Sequence, residues 1–376
     1  MRKHLIIILF STFLLSCSED YPDSPEKENP NSNVFFYGAD LSYVNEMEEC
    51  GAVYKDLNNN DNDLYKIFAE AGTNLVRIRL WHNPTWTNYS NINDVKKSIQ
   101  RAKSEGIQVL LDFHYSDTWA DPSQQEIPSA WLGQINNTNV LGDLLYNYTF
   151  DTLNDLANSD LLPDIVQVGN EINAMILQNG EVKWPIDWIR NSSLINKGIK
   201  AVRDVASLKS KKIEIMLHIA QPENGLWWFE QANAAGVTDY DWIGLSYYPL
   251  WSEYDLNSID IPVKTLIQTY NKRLMIVETA YPFTLENADN ANNILNEDAL
   301  ISGFAASQQG QLDYLNALKA KIHESGGEGV VYWEPAWVST GCSTLWAIGS
   351  HWDNATLFDH NNKSNLGMQF YSASKN

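Results

Sequence analysis

Cysteine, positive charge and long apolar runs are the three things this chain has little of, and each shortage closes off a class of protein. It has three cysteines in 376 residues. With no CxxC pair and no Cys/His cluster of zinc spacing, a thiolate-held metal is ruled out. Lys and Arg number 26 against 47 Asp and Glu, for a net charge of -21. That balance repels a phosphate backbone, so nucleic acid is excluded as a partner. No GxGxxG or GxxxxGKS follows any strand-like segment, which removes the usual reason for a nucleotide-binding sheet. The longest apolar run, Leu5 to Leu15, is too short to span a bilayer as a helix. Charged residues make up 19% of the chain and aromatics 12%, a composition that builds a packed globular core and not an acidic disordered chain.

The short apolar run has a different use. Arg2 and Lys3 precede it, as in a secretory signal, and Leu14-Leu15-Ser16-Cys17 resembles a bacterial lipobox. Residues 1–17 are therefore expected to be a lipoprotein signal with Cys17 as the lipidated residue; the alternative is an ordinary signal peptide with a chance cysteine. Residues 18–34 are acidic, then rich in Pro and Asn, and read as a flexible tether. The acid-rich start resembles the export tract of surface lipoproteins of some Gram-negative bacteria. The expected location is thus the outer membrane or cell surface, with the membrane touched only through the N-terminal lipid, and the protein is expected to act as a monomer. Cys50 and Cys342 remain, either as two buried thiols or as a disulfide joining the loops after the first and last strands. A bond closing so long a loop constrains the unfolded chain by about 4 to 5 kcal/mol in the entropy model.

From Phe35 to the end of the chain, short apolar segments alternate with longer amphipathic ones. Strand-like runs occur at 36–42, 74–80, 107–113, 164–168, 213–218, 242–246, 273–278 and 329–333. Helical stripes separate them, for example Leu64, Ile67, Phe68 and Ala71, closed by Gly72. Eight such repeats predict an α/β protein folded as a single (β/α)8 barrel over 35–376, because parallel strands need helical crossovers and eight of them close the sheet. An open doubly wound sheet is the competitor. In a barrel, the loops after the strands share one face, and nearly all of the fourteen tryptophans fall in such loops or at strand ends. Aromatic faces on a cleft suit the apolar faces of sugar rings.

Two of the strand-like runs end in glutamate. Ile165-Val166-Gln167-Val168-Gly169-Asn170-Glu171 and Leu274-Met275-Ile276-Val277-Glu278 place two carboxylates at strand ends, a pattern that suits paired acid/base chemistry on a glycosidic bond. Taken with Gly38-Ala39-Asp40-Leu41-Ser42, Val76-Arg77-Ile78-Arg79-Leu80-Trp81 and Leu111-Asp112-Phe113-His114-Tyr115-Ser116-Asp117-Thr118-Trp119, these segments resemble glycoside hydrolase family 53, the arabinogalactan endo-β-1,4-galactanases. The resemblance covers about residues 35 to 372.

That resemblance implies Glu171 as general acid/base and Glu278 as nucleophile in a retaining double displacement. It also implies Asn170 as a donor to the sugar 2-hydroxyl. Glu278 is expected to be held ionised by Arg79 and a tyrosine hydroxyl, Tyr247. Asp117, Trp119, His218 and Trp333 are expected to line the subsites, with Trp86 further out and His114 either on sugar or bonded within the rim. Bacterial members carry a structural calcium between the last two strand-end loops. Asp289, Asn293, Ser350 and Asp353 are the matching ligands here, although Ala291 stands where the family has a histidine. The substrate expected is galactan and its oligosaccharides. The alternatives are another β-1,4-glycanase acting on mannan or xylan, and a surface barrel that binds glycan without cleaving it.

Overall fold

In the computed structural model, which describes residues 34–345 and 347–375, eight parallel strands close into one barrel in chain order. The expected signal, Cys17 and all but the last residue of the tether lie outside the described residues. The strands are β1 (Phe36–Asp40), β2 (Leu75–Leu80), β3 (Gln108–Phe113), β4 (Ile165–Val168), β5 (Glu214–Ala220), β6 (Trp242–Ser246), β7 (Arg273–Glu278) and β8 (Gly329–Tyr332). Each pairs with its neighbours, and β8 returns to β1 through Phe36 opposite Gly329. Among the described residues, no helix is long and apolar enough to cross a membrane.

The helices are α1 (Val44–Glu49), α2 (Leu64–Ala71), α3 (Ile92–Ser104), α4 (Thr138–Asn158), α5 (Trp188–Lys209), α6 (Pro222–Ala234), α7 (Asp260–Tyr270) and α8 (Gln308–Glu324). In α4 and α5, capping side chains set the first turn. Asn137 accepts from the Val140 N–H and Asp187 from the Arg190 N–H, which satisfies donors that would otherwise face nothing.

Side chains alternate between the barrel lumen and the helix layer. Val76, Ile78 and Leu80 join the large core under the helices, whereas Leu75 belongs to a second cluster with Phe36, Leu110, Ile165, Met216, Trp242, Met275, Val277 and Val331. That apolar layer fills the lower lumen. Two residues further along the same strands the lumen turns polar, with buried Arg77, Asp112, Gln167 and His218.

One irregularity decides the site. Leu245 pairs with Ile276, but Ser246 pairs with Glu278, so Val277 is an extra residue in β7. With Met275 and Val277 in the lumen cluster, strict alternation would send Glu278 outward. The bulge turns it into the lumen instead. Cys50, after α1, and Cys342, after β8, are joined in a disulfide with a Cα separation of 5.8 Å.

Candidate active site

The turn after β4 is built for close approach. Gly169 has φ +91, and a Cβ there would lie 2.5 Å from the Ile172 side chain, so only glycine fits. Glu171 follows in the left-handed region at φ +43, a conformation that costs a non-glycine residue about 1–3 kcal/mol and persists only where neighbours hold it. Gln125 does so by donating to the Asn170 and Glu171 carbonyls at 2.9 and 3.1 Å, and Ile172 N–H donates to the His218 carbonyl at 3.0 Å.

The strained turn and the β7 bulge bring the two glutamates together. Carboxylate oxygens of Glu171 and Glu278 lie within 4.8 Å of one another, with a nitrogen of His218 equally near. These three have the donor types of a metal site, yet a positive charge is already supplied. The Arg77 guanidinium meets Glu278 Oε1 at 2.8 Å, Asp40 at 2.8 Å and Asp112 at 2.8 Å, all but sealed from solvent. It also donates to Asn170 Oδ1 at 2.7 Å and Gln167 Oε1 at 3.2 Å. Every direction of its fork is used.

The pair therefore has asymmetric electrostatics. Burial pushes the Glu171 carboxyl up to about 7, a hydrogen bond from Ser246 pulling the other way. Burial also raises Glu278, and the Glu171 charge adds to this, while Arg77 opposes both. Two carboxylates this close share one proton near neutrality. The guanidinium touches Glu278 and not Glu171, which favours the charge on Glu278 and the shared proton on Glu171.

Several expected site residues sit elsewhere than the sequence suggested. Arg79 does not reach Glu278; it pairs with buried Glu334 at 3.2 Å and lies over the rings of Tyr43, Trp81 and Trp119, 4.1 Å from the last. Arg77 and Arg79 both face the lumen, and the deeper one takes the role expected of the shallower. Tyr247 is also displaced: its hydroxyl donates to the Tyr254 carbonyl at 3.1 Å. The tyrosine within electrostatic range of both glutamates is the next one, Tyr248. Asp117 braces a loop, accepting from Ser129 and contacting His82. His218 is fully buried behind Glu171 instead of lining a subsite.

Asn170, Trp119, His114 and Trp333 all line the cleft beside the glutamates. His114 is bonded within the rim, with Nε2 3.0 Å from Asp112 and Nδ1 accepting from Ala120 N–H at 3.1 Å; burial lowers its pKa. Trp86 is 38% exposed at the outer rim, donating to the Asp117 carbonyl.

The glutamates stand between two cavities of about 390 and 620 Å³ that share Asp121, Glu171, Glu278, Ile294 and Trp333. Trp119 and Trp337 line the first, and Tyr248, Trp251 and Trp352 the second. The floor is thus aromatic on both sides of the carboxyl pair. Sequence reading missed Arg77 as the partner of Glu278, and missed Ser246, Gln167 and Glu334 altogether. The usable signal was the two-residue spacing of polar groups along β2 and β3.

The proposed calcium ligands meet at the loops after β7 and β8. Asp289 accepts from Ser350 N–H at 2.8 Å, and Asp353 from Asn293 Nδ2 at 2.8 Å. Ser350 Oγ donates to the Trp337 carbonyl. Burial raises Asp353, and the nearby Asp289 charge adds to the shift. The Asn293 Oδ1 is buried with no hydrogen-bond partner among the described residues. Two facing carboxylates and an orphaned amide oxygen suit a hard divalent cation.

A closed parallel barrel with two facing carboxylates at its carboxyl rim and an aromatic cleft across them defines a glycoside hydrolase of the two-carboxylate class. The sequence matches glycosyl hydrolase family 53 over residues 36–371, and the chain belongs to that family. It is 55% identical over 337 residues to an arabinogalactan endo-β-1,4-galactanase of Cellvibrio japonicus, covering 89% of each chain. It is 34% identical to an endo-β-1,4-galactanase of Bacillus subtilis, covering 85% of this chain and 76% of that one. Among solved structures, the family 53 catalytic domain of Ignisphaera aggregans superimposes with a TM-score of 0.81 at 32% identity, covering 90% of this chain and 95% of that one.

Proposed function

We propose that this protein hydrolyses internal β-1,4-galactosidic linkages of galactan and arabinogalactan with retention of configuration. The observation that carries the mechanism is the carboxylate pair, with oxygens within 4.8 Å. Retaining enzymes hold their carboxyl groups about 5–5.5 Å apart, whereas inverting ones leave room for a water. Cavities on both sides of the pair let a polymer lie across the site, as internal cleavage requires.

In the first half-reaction Glu171 gives its proton to the glycosidic oxygen while a Glu278 oxygen attacks the anomeric carbon. The C–O bond breaks, the shortened chain leaves as an alcohol, and a glycosyl ester to Glu278 forms. Glu171, now ionised, takes a proton from water, whose oxygen attacks the same carbon and releases Glu278. Arg77 keeps the nucleophile charged. Asn170 donates one amide hydrogen to the Ala120 carbonyl at 2.8 Å and keeps the other for the 2-hydroxyl. Trp119 and Trp333 offer ring faces to the sugars.

Product analysis on linear galactan tests this reading. Release of reducing ends from galactan, and none from mannan or xylan, is expected; the reverse substrate order makes the protein another β-1,4-glycanase, and no release from any polymer makes it a binding protein. Asp289, Asn293, Ser350 and Asp353 hold a calcium ion that clamps the two loops. Chelation should lower the melting temperature and calcium restore it, with no shift sinking the site. Cys17 carries the lipid that tethers a monomeric enzyme to the outer membrane or cell surface. Labelling with a radioactive fatty acid, lost in Cys17→Ser, checks the anchor.

A further inference from the structure

Behind Glu171 lies a buried hydrogen-bond chain that the reaction scheme above does not use. Ser246, at the end of β6, donates to Glu171 Oε1 at 2.6 Å, and His218 Nε2, from β5, lies 2.9 Å from the same Ser246 oxygen. His218 Nδ1 faces the Glu171 backbone N–H at 3.3 Å. Gln167 Nε2 is 3.1 Å from Nδ1, but its two hydrogens also face Asp112 Oδ1 at 2.5 Å, Asn170 Oδ1 at 3.1 Å and the Gly169 carbonyl at 3.2 Å. Asn170 Oδ1 is 2.9 Å from Nδ1 and accepts from Arg77 at 2.7 Å. Ser246 and His218 are both fully buried.

Resting on the assignment of Glu171 as acid/base, we propose that His218 and Ser246 are positioning residues forming a one-way relay, which reserves Oε2 of Glu171 for the proton given to the leaving group. The Glu171 backbone N–H, which can only donate, makes Nδ1 the acceptor and places the imidazole proton on Nε2. Its N–H then occupies a lone pair of the Ser246 hydroxyl. A serine has one proton, and with His218 donating, that proton points at Glu171 Oε1. The carboxyl proton is left to Oε2. The same arrangement serves the ionised carboxylate of the second half-reaction, so no side chain turns between the two steps.

The relay works only if His218 is neutral. Burial holds its pKa well below the usual value, with the charges of Arg77 and then His114 acting in the same direction. Besides His218, the charged and titratable groups facing Glu171 are Asp121, Arg77, Asp112, Glu278 and Tyr248. None of them lies along the Oε1–Ser246–His218 line of hydrogen bonds.

Ser246→Ala, Ser246→Thr and wild type would be compared on galactan, whose leaving group needs an acid, and on a nitrophenyl β-galactoside, whose leaving group does not. Ser246→Ala should lose about tenfold or more of kcat/KM on galactan and less than about threefold on the activated substrate. Its alkaline limb should move to higher pH, because a hydrogen bond that favoured the carboxylate is gone. Ser246→Thr keeps the hydroxyl and should recover most of the loss. Nitrogen NMR of labelled histidine should show His218 neutral with its proton on Nε2 from about pH 5 to 9. Equal losses on both substrates with an unmoved limb, or a proton on Nδ1, overturns the relay. The NMR reading needs no substrate, so inactivity of the wild type on galactan would end the proposed function while leaving the relay to be judged on its own.

Discussion

The lower and upper halves of the barrel lumen are made by the same strands two residues apart, yet they are opposite environments. Below, nine side chains including Leu75, Leu110, Ile165 and Trp242 form an apolar plug. Above, Arg77, Asp112, Gln167 and His218 form a buried polar network that ends at Glu171 and Glu278. The plug is an ordinary core, favoured by burial and tolerant of volume-conserving change. The network is held by geometry, because every charge in it is desolvated and each depends on its neighbours. Stability and chemistry thus occupy successive turns of the pleat, and damage to one should read differently from damage to the other.

The largest separation should come from the glutamates themselves. Glu171→Gln and Glu278→Gln are each expected to lose a thousandfold or more of activity on galactan, about 4 kcal/mol of barrier, with the fold intact by circular dichroism. An azide rescue of Glu278→Ala with inverted product would identify the nucleophile. Tolerance of either change would remove the catalytic assignment.

Arg77→Met should damage both halves at once. It strands Asp40, Asp112 and Glu278 without their cation, a loss of about 3–5 kcal/mol by denaturant titration, and activity should fall with it. Arg79→Met, by contrast, breaks the Glu334 pair, a hydrogen bond to Ser90 at 3.2 Å and the ring contacts, none of which involves Glu278, so Glu278 should keep its titration. Equal behaviour of the two variants would contradict the separation of their roles.

In the plug, Met216→Ala should cost about 2–5 kcal/mol of stability while the pH profile keeps its shape. A shifted profile would show that the two layers are coupled after all.

The smallest effect concerns the charge on Glu171. Its folded pKa is raised to about 7 from an ordinary 4.5. Between these values the folded state holds more protons than the unfolded one, so stability falls as pH rises through that window. Activity should decline above about pH 7 as the acid loses its proton. Glu171→Gln, though inactive, should then melt above wild type at pH 8, and the gap should close below pH 4.5. A gap independent of pH would mean that Glu171 carries no charging penalty.

Much of this was legible without coordinates, and particular residues show where legibility ended. The eight strands could be read because apolar runs bounded by glycine and polar turns recur at barrel spacing. Glu171 was legible because Gly169 and Asn170 mark a sharp turn after a buried strand. Arg77 and Arg79 could not be told apart, since both lie on the lumen side and sequence carries no depth along the barrel axis. Tyr247 and Tyr248 failed the same way: adjacent residues point to opposite faces, and the irregular exit from β6 chose between them. His218 was expected in a subsite from the family resemblance, and nothing in its own strand shows that the turn after β4 covers it.

What the sequence determined by itself is the alternation of strands and helices, hence a closed ring, and two acidic residues at strand ends. Local periodicity and turn chemistry are short-range properties, and those features follow from them. What only the tertiary structure decided is that Glu278 faces inward, through one extra residue in β7 opposite β6, and that Arg77 is the cation it meets. Register and depth are set by pairing between strands distant in the chain, and no single strand's sequence carries that information.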